Sequence, residues 1–178
     1  MIREGRWRMD RVLPGVTGLA FLLVAGLWLA SYFSPVARMK RATQKVVRLV
    51  EKNGEEAPVA LGMAAHRLGT WLAADTVLEL DGTGLLASGR QETVQLFAHI
   101  RAAMDTMTFA QPDIVATSVR RGEVRAVVKA RYRFVSSGGT VEDDGTAVLV
   151  WRKGEEGWRI QRAMLTAGER TRIPRGFL

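Results

Sequence analysis

The chain has 178 residues and no cysteine, which excludes a disulfide framework, a thiolate nucleophile, an iron–sulfur cluster and any cysteine-ligated zinc. Two histidines, His66 and His99, make an all-protein metal site a poor expectation, so neither metal nor cofactor is expected. With 26 Lys and Arg against 18 Asp and Glu the formal charge is +8, which admits nucleic acid or an anionic membrane, and the placement of charge has to decide between them.

Residues 1–11 form a basic tail with Arg3, Arg6, Arg8 and Arg11. Val12–Phe33 follows, uncharged and mostly apolar. About 20 such residues cross a hydrocarbon core as a helix, the local structure that satisfies its own backbone there. A single transmembrane helix is therefore expected over 12–33, with Trp28, Tyr32 and Phe33 toward its far boundary. The competing reading is a cleaved signal peptide, but the run is long for one and Tyr32-Phe33-Ser34-Pro35 offers no good small-residue cleavage site. Gly26, Ala30 and Ser34 share one ridge, a spacing that permits close helix–helix approach. The cation count leans to a cytoplasmic C-terminal part, yet long domains translocate largely regardless of charge. The expectation is a single-pass protein of the cytoplasmic (inner) membrane of a bacterial envelope, its soluble domain on the periplasmic side.

A domain over 36–166 comes next. Residues 36–52 read as an amphipathic helix with Met39, Ala42, Val46, Leu49 and Val50 inward and Arg38, Lys40, Arg41, Lys45 and Arg48 around them. Asn53-Gly54 signals its end, and Pro58 suits the first turn of a second helix, about 58–73. Asp75–Leu80 is a short strand and 81–84 a turn. Ser88 with Gln91 reads as a capping box opening a third helix that runs to about Met107. The period then changes from 3.6 to 2, giving strands at 109–119, 123–135, 141–152 and 157–166. Ala126, Val128, Ala130, Tyr132 and Phe134 fall on one face, alternating with Arg125, Val127, Lys129, Arg131 and Arg133. The residues 167–178 form a basic tail without periodicity. Helices first and strands afterwards is an α+β order, simplest as a bent antiparallel sheet packed on three helices.

That order, together with several short motifs, resembles the nuclear transport factor 2-like superfamily, especially its SnoaL-like branch. The motifs are Trp71-Leu72-Ala73-Ala74-Asp75 at the end of helix two, Gly89-Arg90-Gln91 with Val94 and Phe97 opening helix three, and Gly157-Trp158-Arg159-Ile160 starting the last strand. The resemblance covers about residues 38–166. It implies a cone-like fold with a pocket between sheet and helices, often dimeric through the sheet. The superfamily includes cyclases, dehydratases, isomerases such as ketosteroid isomerase, and members without catalysis. Membrane-anchored versions occur in secretion machinery of the type IV kind. Fold alone does not choose among these.

A pocket enzyme needs an acid or base held in an apolar setting. Among Asp75, Glu79, Asp81, His66 and His99, the best candidates are Asp75 and His99, each bordering an apolar pattern. Their alternative roles are a turn cap for Asp75 and a partly exposed helix residue for His99, and no orienting partner is recognisable for either. Trp71, Tyr132, Phe134 and Trp158 are the expected pocket-lining residues, with a core role open to each, as it is to Trp151. Glu142-Asp143-Asp144 reads as a solvated strand start. The basic group at Arg38, Lys40, Arg41, Lys45 and Arg48 is juxtamembrane, explained by attraction to anionic lipid. No nucleic acid is expected, because Tyr132 and Phe134 lie opposite the basic strand face.

The function expected is therefore a membrane-anchored binding or assembly module acting without catalysis, in contact with the lipid bilayer and with a second copy or a membrane-complex partner. Two alternatives stand beside it, a SnoaL-like enzyme or small-molecule binder using the cavity, and a subunit of an envelope or secretion complex. An enclosed cavity with a buried carboxylate favours the enzyme. A sheet face left apolar and open favours assembly.

Overall fold

The computed structural model describes residues 32–168. The expected transmembrane segment, apart from Tyr32 and Phe33, lies outside the described residues, as do the basic N-terminal tail and all but the start of the C-terminal one. Among the described residues no helix is long and apolar enough to cross a membrane.

Pro35 opens helix α1 (Pro35–Val50), where its missing N–H costs nothing, and the Ser34 hydroxyl accepts from the Ala37 N–H at 3.2 Å. The inward residues Met39, Ala42, Thr43 and Val46 are all buried, as the helical spacing requires. The helix stops at Glu51, and Lys52–Asn53 forms a two-residue strand, β1. Helix α2 (Pro58–Gly69) ends four residues before the expected boundary. Thr70 bonds back to the carbonyls of His66 and Arg67, and Leu72 already belongs to strand β2 (Leu72–Leu80). The apolar pair Trp71-Leu72 suits a helix end and a strand start equally, which is why periodicity places the boundary late.

Strand β3 (Gly84–Ser88) returns antiparallel to β2 and has no counterpart among the expected elements. The expected Ser88–Gln91 capping box does not form, because the N-cap is Gly89, which has no side chain to accept a hydrogen bond. Ser88 is the last residue of β3, Gly89 at φ 90° caps helix α3 (Arg90–Ala103), and the Ser88 N–H donates to the Glu92 carboxylate at 2.8 Å. Helix α3 ends before the expected Met107, because Met104 turns extended and Met107 is a buried residue of strand β4 (Thr106–Arg120). Strands β5 (Glu123–Ser136), β6 (Gly139–Gly154) and β7 (Gly157–Ala167) follow as antiparallel neighbours, each within a few residues of its expected bounds.

The seven strands form one sheet in the order β1-β4-β5-β6-β7-β2-β3. It is mixed rather than antiparallel, because β2 runs parallel to β7, with Leu78 beside Ala163 and Leu80 beside Leu165. Alternation of side chains reveals which face of a strand is buried, and says nothing of the direction its neighbour runs. The three helices pack on one face of this sheet. Their core joins Met39, Ala42 and Val46 of α1 and Leu68 of α2 to Val124, Ala126, Leu149, Trp151 and Ile160 of the sheet. Within it the Trp151 Nε1–H donates to the Thr43 hydroxyl at 3.0 Å, which satisfies the one polar atom of a fully buried indole.

Candidate functional site

Pairing between β5 and β6 is unbroken from Glu123↔Arg152 to Ser136↔Gly139, so faces can be followed along both strands without a slip. Trp151 and Val124 define the helix-covered face. Along β5 the same face carries Ala126, Val128, Ala130, Tyr132 and Phe134, and along β6 it carries Leu149, Ala147, Gly145, Asp143 and Val141. Val124, Ala126 and Val128 are at most 5% exposed, whereas Tyr132 and Phe134 are only half-buried. At that end Phe109 of β4 opposes Tyr132, and Tyr132 opposes Asp143.

Three aromatic rings meet there. Phe109 and Phe134 stand edge to face with centroids 5.9 Å apart, and Tyr132 lies tilted on Phe134 at 4.9 Å. The Tyr132 ring lies over Gly145, where a Cβ would come within 3.0 Å of two ring carbons. Gly168 packs against the Asp143 carboxylate so closely that a Cβ there would collide with it. An aromatic wall with one carboxylate can hold an apolar body bearing a hydrogen-bond donor. Strand phase is the signal that finds the two members absent from the expected set, since Asp143 shares parity with Leu149 and Trp151, and Phe109 with Met107.

The expected pocket-lining residues divide. Tyr132 and Phe134 belong to this aromatic cluster, whereas Trp71 and Trp158 pack against the main core, Trp71 edge-on to Trp151 at 5.9 Å. The two expected acid–base candidates are not brought together by any hydrogen bond among the described residues. Asp75 is exposed on β2 and accepts from the Gln161 amide at 3.1 Å. His99 is exposed on α3, and His66 is exposed on α2, where it lines an open groove of about 870 Å³ together with Gly69 and Gly89. Glu79 pairs with Arg162 at 3.2 Å, and Asp81 is exposed. Among the described residues no three His, Cys, Asp or Glu groups cluster to hold a metal.

The opposite, open face of the sheet has its own pattern. Val115, Val127, Val148 and Met164 are successive pairing partners across β4, β5, β6 and β7, and so form one apolar row crossing four strands. Val115 is 55% and Met164 38% exposed. Arg125 and Arg162 lie in the neighbouring row on one side, Asp113 and Lys129 in that on the other. Beyond these, Arg131 donates to Asp144 at 3.3 Å, and that carboxylate holds the guanidinium's already high pKa higher still. A second open groove, of about 790 Å³, runs over this end past Lys129, Thr146 and Thr166.

Of the basic group on α1, Arg38, Lys40, Lys45 and Arg48 are exposed and Arg41 is half-exposed. The Arg41 guanidinium stacks on the Tyr32 ring at 4.1 Å and donates to the Tyr32 carbonyl at 2.8 Å. Lys52, the sixth cation of that stretch, is buried and bonded to α3.

No family profile and no curated protein matches the sequence. Solved structures do. An NTF2-like protein with a cystatin-like fold from Novosphingobium aromaticivorans superposes at TM-score 0.53 and 16% identity, over 88% of this chain and 94% of that one. A proposed aromatic ring hydroxylase from the same organism gives 0.56 at 17%, over 72% and 87% of the two chains. A proposed dehydratase of the NTF2-like family from Streptomyces avermitilis gives 0.55 at 18%, over 75% and 95%. At this level of identity the likeness establishes the fold, which is nuclear transport factor 2-like.

Proposed function

We propose that this is a single-pass membrane protein whose nuclear transport factor 2-like domain works by assembly, pairing with a second copy through the open face of its sheet. The observation that carries the reading is the apolar row Val115–Val127–Val148–Met164, left uncovered where the helices occupy the other face. Cations and carboxylates flank the row, among them Arg125, Arg162 and Lys129 with Asp113 and Glu79. A copy related by a two-fold axis can set one sign against the other around an apolar centre. Segment 12–33 anchors the domain in the inner membrane, and the domain lies on the periplasmic side.

The test is the mass of the full-length chain in nanodiscs or mild detergent. Wild type should be dimeric, and Val115→Glu with Met164→Glu should be monomeric and still folded by circular dichroism, its thermal melt lowered only by loss of the dimer's mass-action stabilisation. A monomeric wild type overturns the reading. Resistance to carbonate extraction checks the anchor separately.

A second reading rests on the aromatic cluster of Phe109, Tyr132 and Phe134 beside Asp143. The neighbours named as hydroxylase and dehydratase make a small apolar ligand the natural occupant there. Binding of an apolar fluorophore that Tyr132→Ala abolishes and Val115→Glu spares would favour it.

A further inference from the structure

Arg38, Arg41, Lys45 and Arg48 follow one another at i, i+3, i+7 and i+10, so they stand on one ridge of α1, about 15 Å long. The buried residues Met39, Ala42, Thr43 and Val46 take the other side of the helix. Helix α1 contains no acidic residue, and among the described residues none of the four cations makes an ion pair. The nearest described acid along the chain, Glu51, lies beyond the helix end. At the N-terminal end of the ridge Tyr32 and Phe33 form an edge-to-face pair, 46% and 67% exposed. Chain preceding them is uncharged back to Val12.

We infer that this ridge is a docking surface for anionic phospholipid headgroups, laying α1 along the membrane and fixing the domain's tilt. This rests on the anchored reading above and adds an orientation to it. A row of cations with no ion-pair partner among the described residues attracts a surface of negative charge, by about a fivefold change in binding for each basic residue near it, and the attraction falls within a Debye length. Exposed Tyr and Phe at one end suit the headgroup boundary, where amphipathic rings concentrate. Nucleic acid fits less well, because the aromatic pair sits at the end of the ridge, toward the uncharged segment, and does not interleave with the cations. Arg41, stacked on Tyr32, ties the aromatic pair to the ridge so that both meet the surface together.

The absence of native cysteine leaves a single labelling position free to be chosen. A nitroxide on Gln44→Cys, exposed beside the ridge, reports contact with a water-soluble relaxing agent in the reconstituted full-length chain. Vesicles of phosphatidylcholine alone are compared with vesicles containing phosphatidylglycerol, at about 0.05 M and about 0.5 M salt. The label should be shielded in the anionic vesicles at low salt and wet in the other three conditions. Replacing Arg38→Gln, Lys45→Gln and Arg48→Gln together should lower the docked-to-free ratio about a hundredfold, while Lys40→Gln, on the other flank, lowers it less than any single ridge replacement. A label equally wet in all four conditions overturns the inference. So does shielding that ignores lipid charge and salt, or an RNA oligonucleotide that shields the label more strongly than the vesicles do. Flotation with neutral vesicles at high salt tests the anchor alone. Its failure would remove the anchor, while the label's response to lipid charge would still decide the ridge.

Discussion

Arg101 of α3 caps the C-terminal carbonyls of α1, and Lys52, the first residue of β1, caps those of α3. The Arg101 guanidinium, in the last turn of α3, donates to the carbonyls of Leu49, Val50 and Glu51 at 3.0–3.1 Å, closing α1. The Lys52 ammonium, just past α1, donates to the carbonyls of Arg101 at 2.9 Å and of Met104, closing α3. Both cations are buried, and Glu56 is the carboxylate that meets the guanidinium, at 2.6 Å and 3.1 Å. The remaining positive charge is balanced by the negative ends of two helix dipoles. The joint also fixes where β1 enters the sheet beside Met107.

Removing Arg101 strands three carbonyls and a carboxylate at once. Arg101→Met should lower stability by about 3 kcal/mol in urea melts. Glu56→Gln leaves the guanidinium on its three carbonyls and should cost about 1 kcal/mol. Equal losses in the two variants would mean that the carboxylate, and not the helix end, is the important partner.

Glu56 gives this joint an acid limit. Its hydrogen bond from Arg101, helped by the charges of Arg101 and Lys52, holds its carboxyl below the ordinary range against the opposing effect of burial. A carboxylate whose pKa is lower folded than unfolded stabilises the fold at neutral pH, fully so above its unfolded value of about 4.3. That contribution disappears as pH falls through the folded value. Wild type and Glu56→Gln should therefore differ in stability at pH 7 and converge as the pH drops below about 4. A gap that stays constant to low pH would exclude the ion pair as its source.

The sheet register makes a sharper comparison. Val128 is 5% exposed on the helix-covered face, and Lys129, next in sequence, is exposed on the other. Val128→Asp buries an unpaired carboxylate and should cost several kcal/mol, roughly half of a small domain's stability. Lys129→Asp should cost under about 1 kcal/mol. Thermal melts that do not separate the two would mean the strand faces are assigned the wrong way round.

Asp75→Asn and His99→Gln test the catalytic alternative. Both residues are exposed, and Asp75 is held by Gln161 rather than by an acid–base partner. Each variant should complement a deletion strain as well as wild type does, whereas a chain lacking residues 1–37 should not. Loss of complementation by a folded Asp75 or His99 variant would restore the enzyme.

Long-range patterning makes most of this fold readable. Alternation from Val124 to Phe134 names the buried face of β5, and the spacing of Met39, Ala42 and Val46 names that of α1. What escapes depends on pairing across distance. Strand β3 is five residues long, and its Leu85 is 62% exposed, so it carries little periodic signal. Lys52 looks like one more juxtamembrane cation because its partners, the carbonyls of Arg101 and Met104, belong to backbone about fifty positions away. Asp143 is hidden differently. Between Glu142 and Asp144 it reads as part of an acidic surface run, and only strand phase turns it toward Tyr132.

The parallel seam between β2 and β7 sets a condition on how the chain is made. Leu78 finds Ala163, and the Trp71 carbonyl finds the Ile160 N–H, only after nearly the whole domain has been synthesised. Until then the β2–β3 hairpin and the growing β4–β6 meander each present an unpaired edge, the kind of surface that recruits stray strands. A nascent chain halted before Gly157 would carry both edges at once and should aggregate rather than persist as a partly folded domain. Completion of the last strand is thus the event that closes the sheet, and removes the β7-facing edges of the hairpin and the meander in one step.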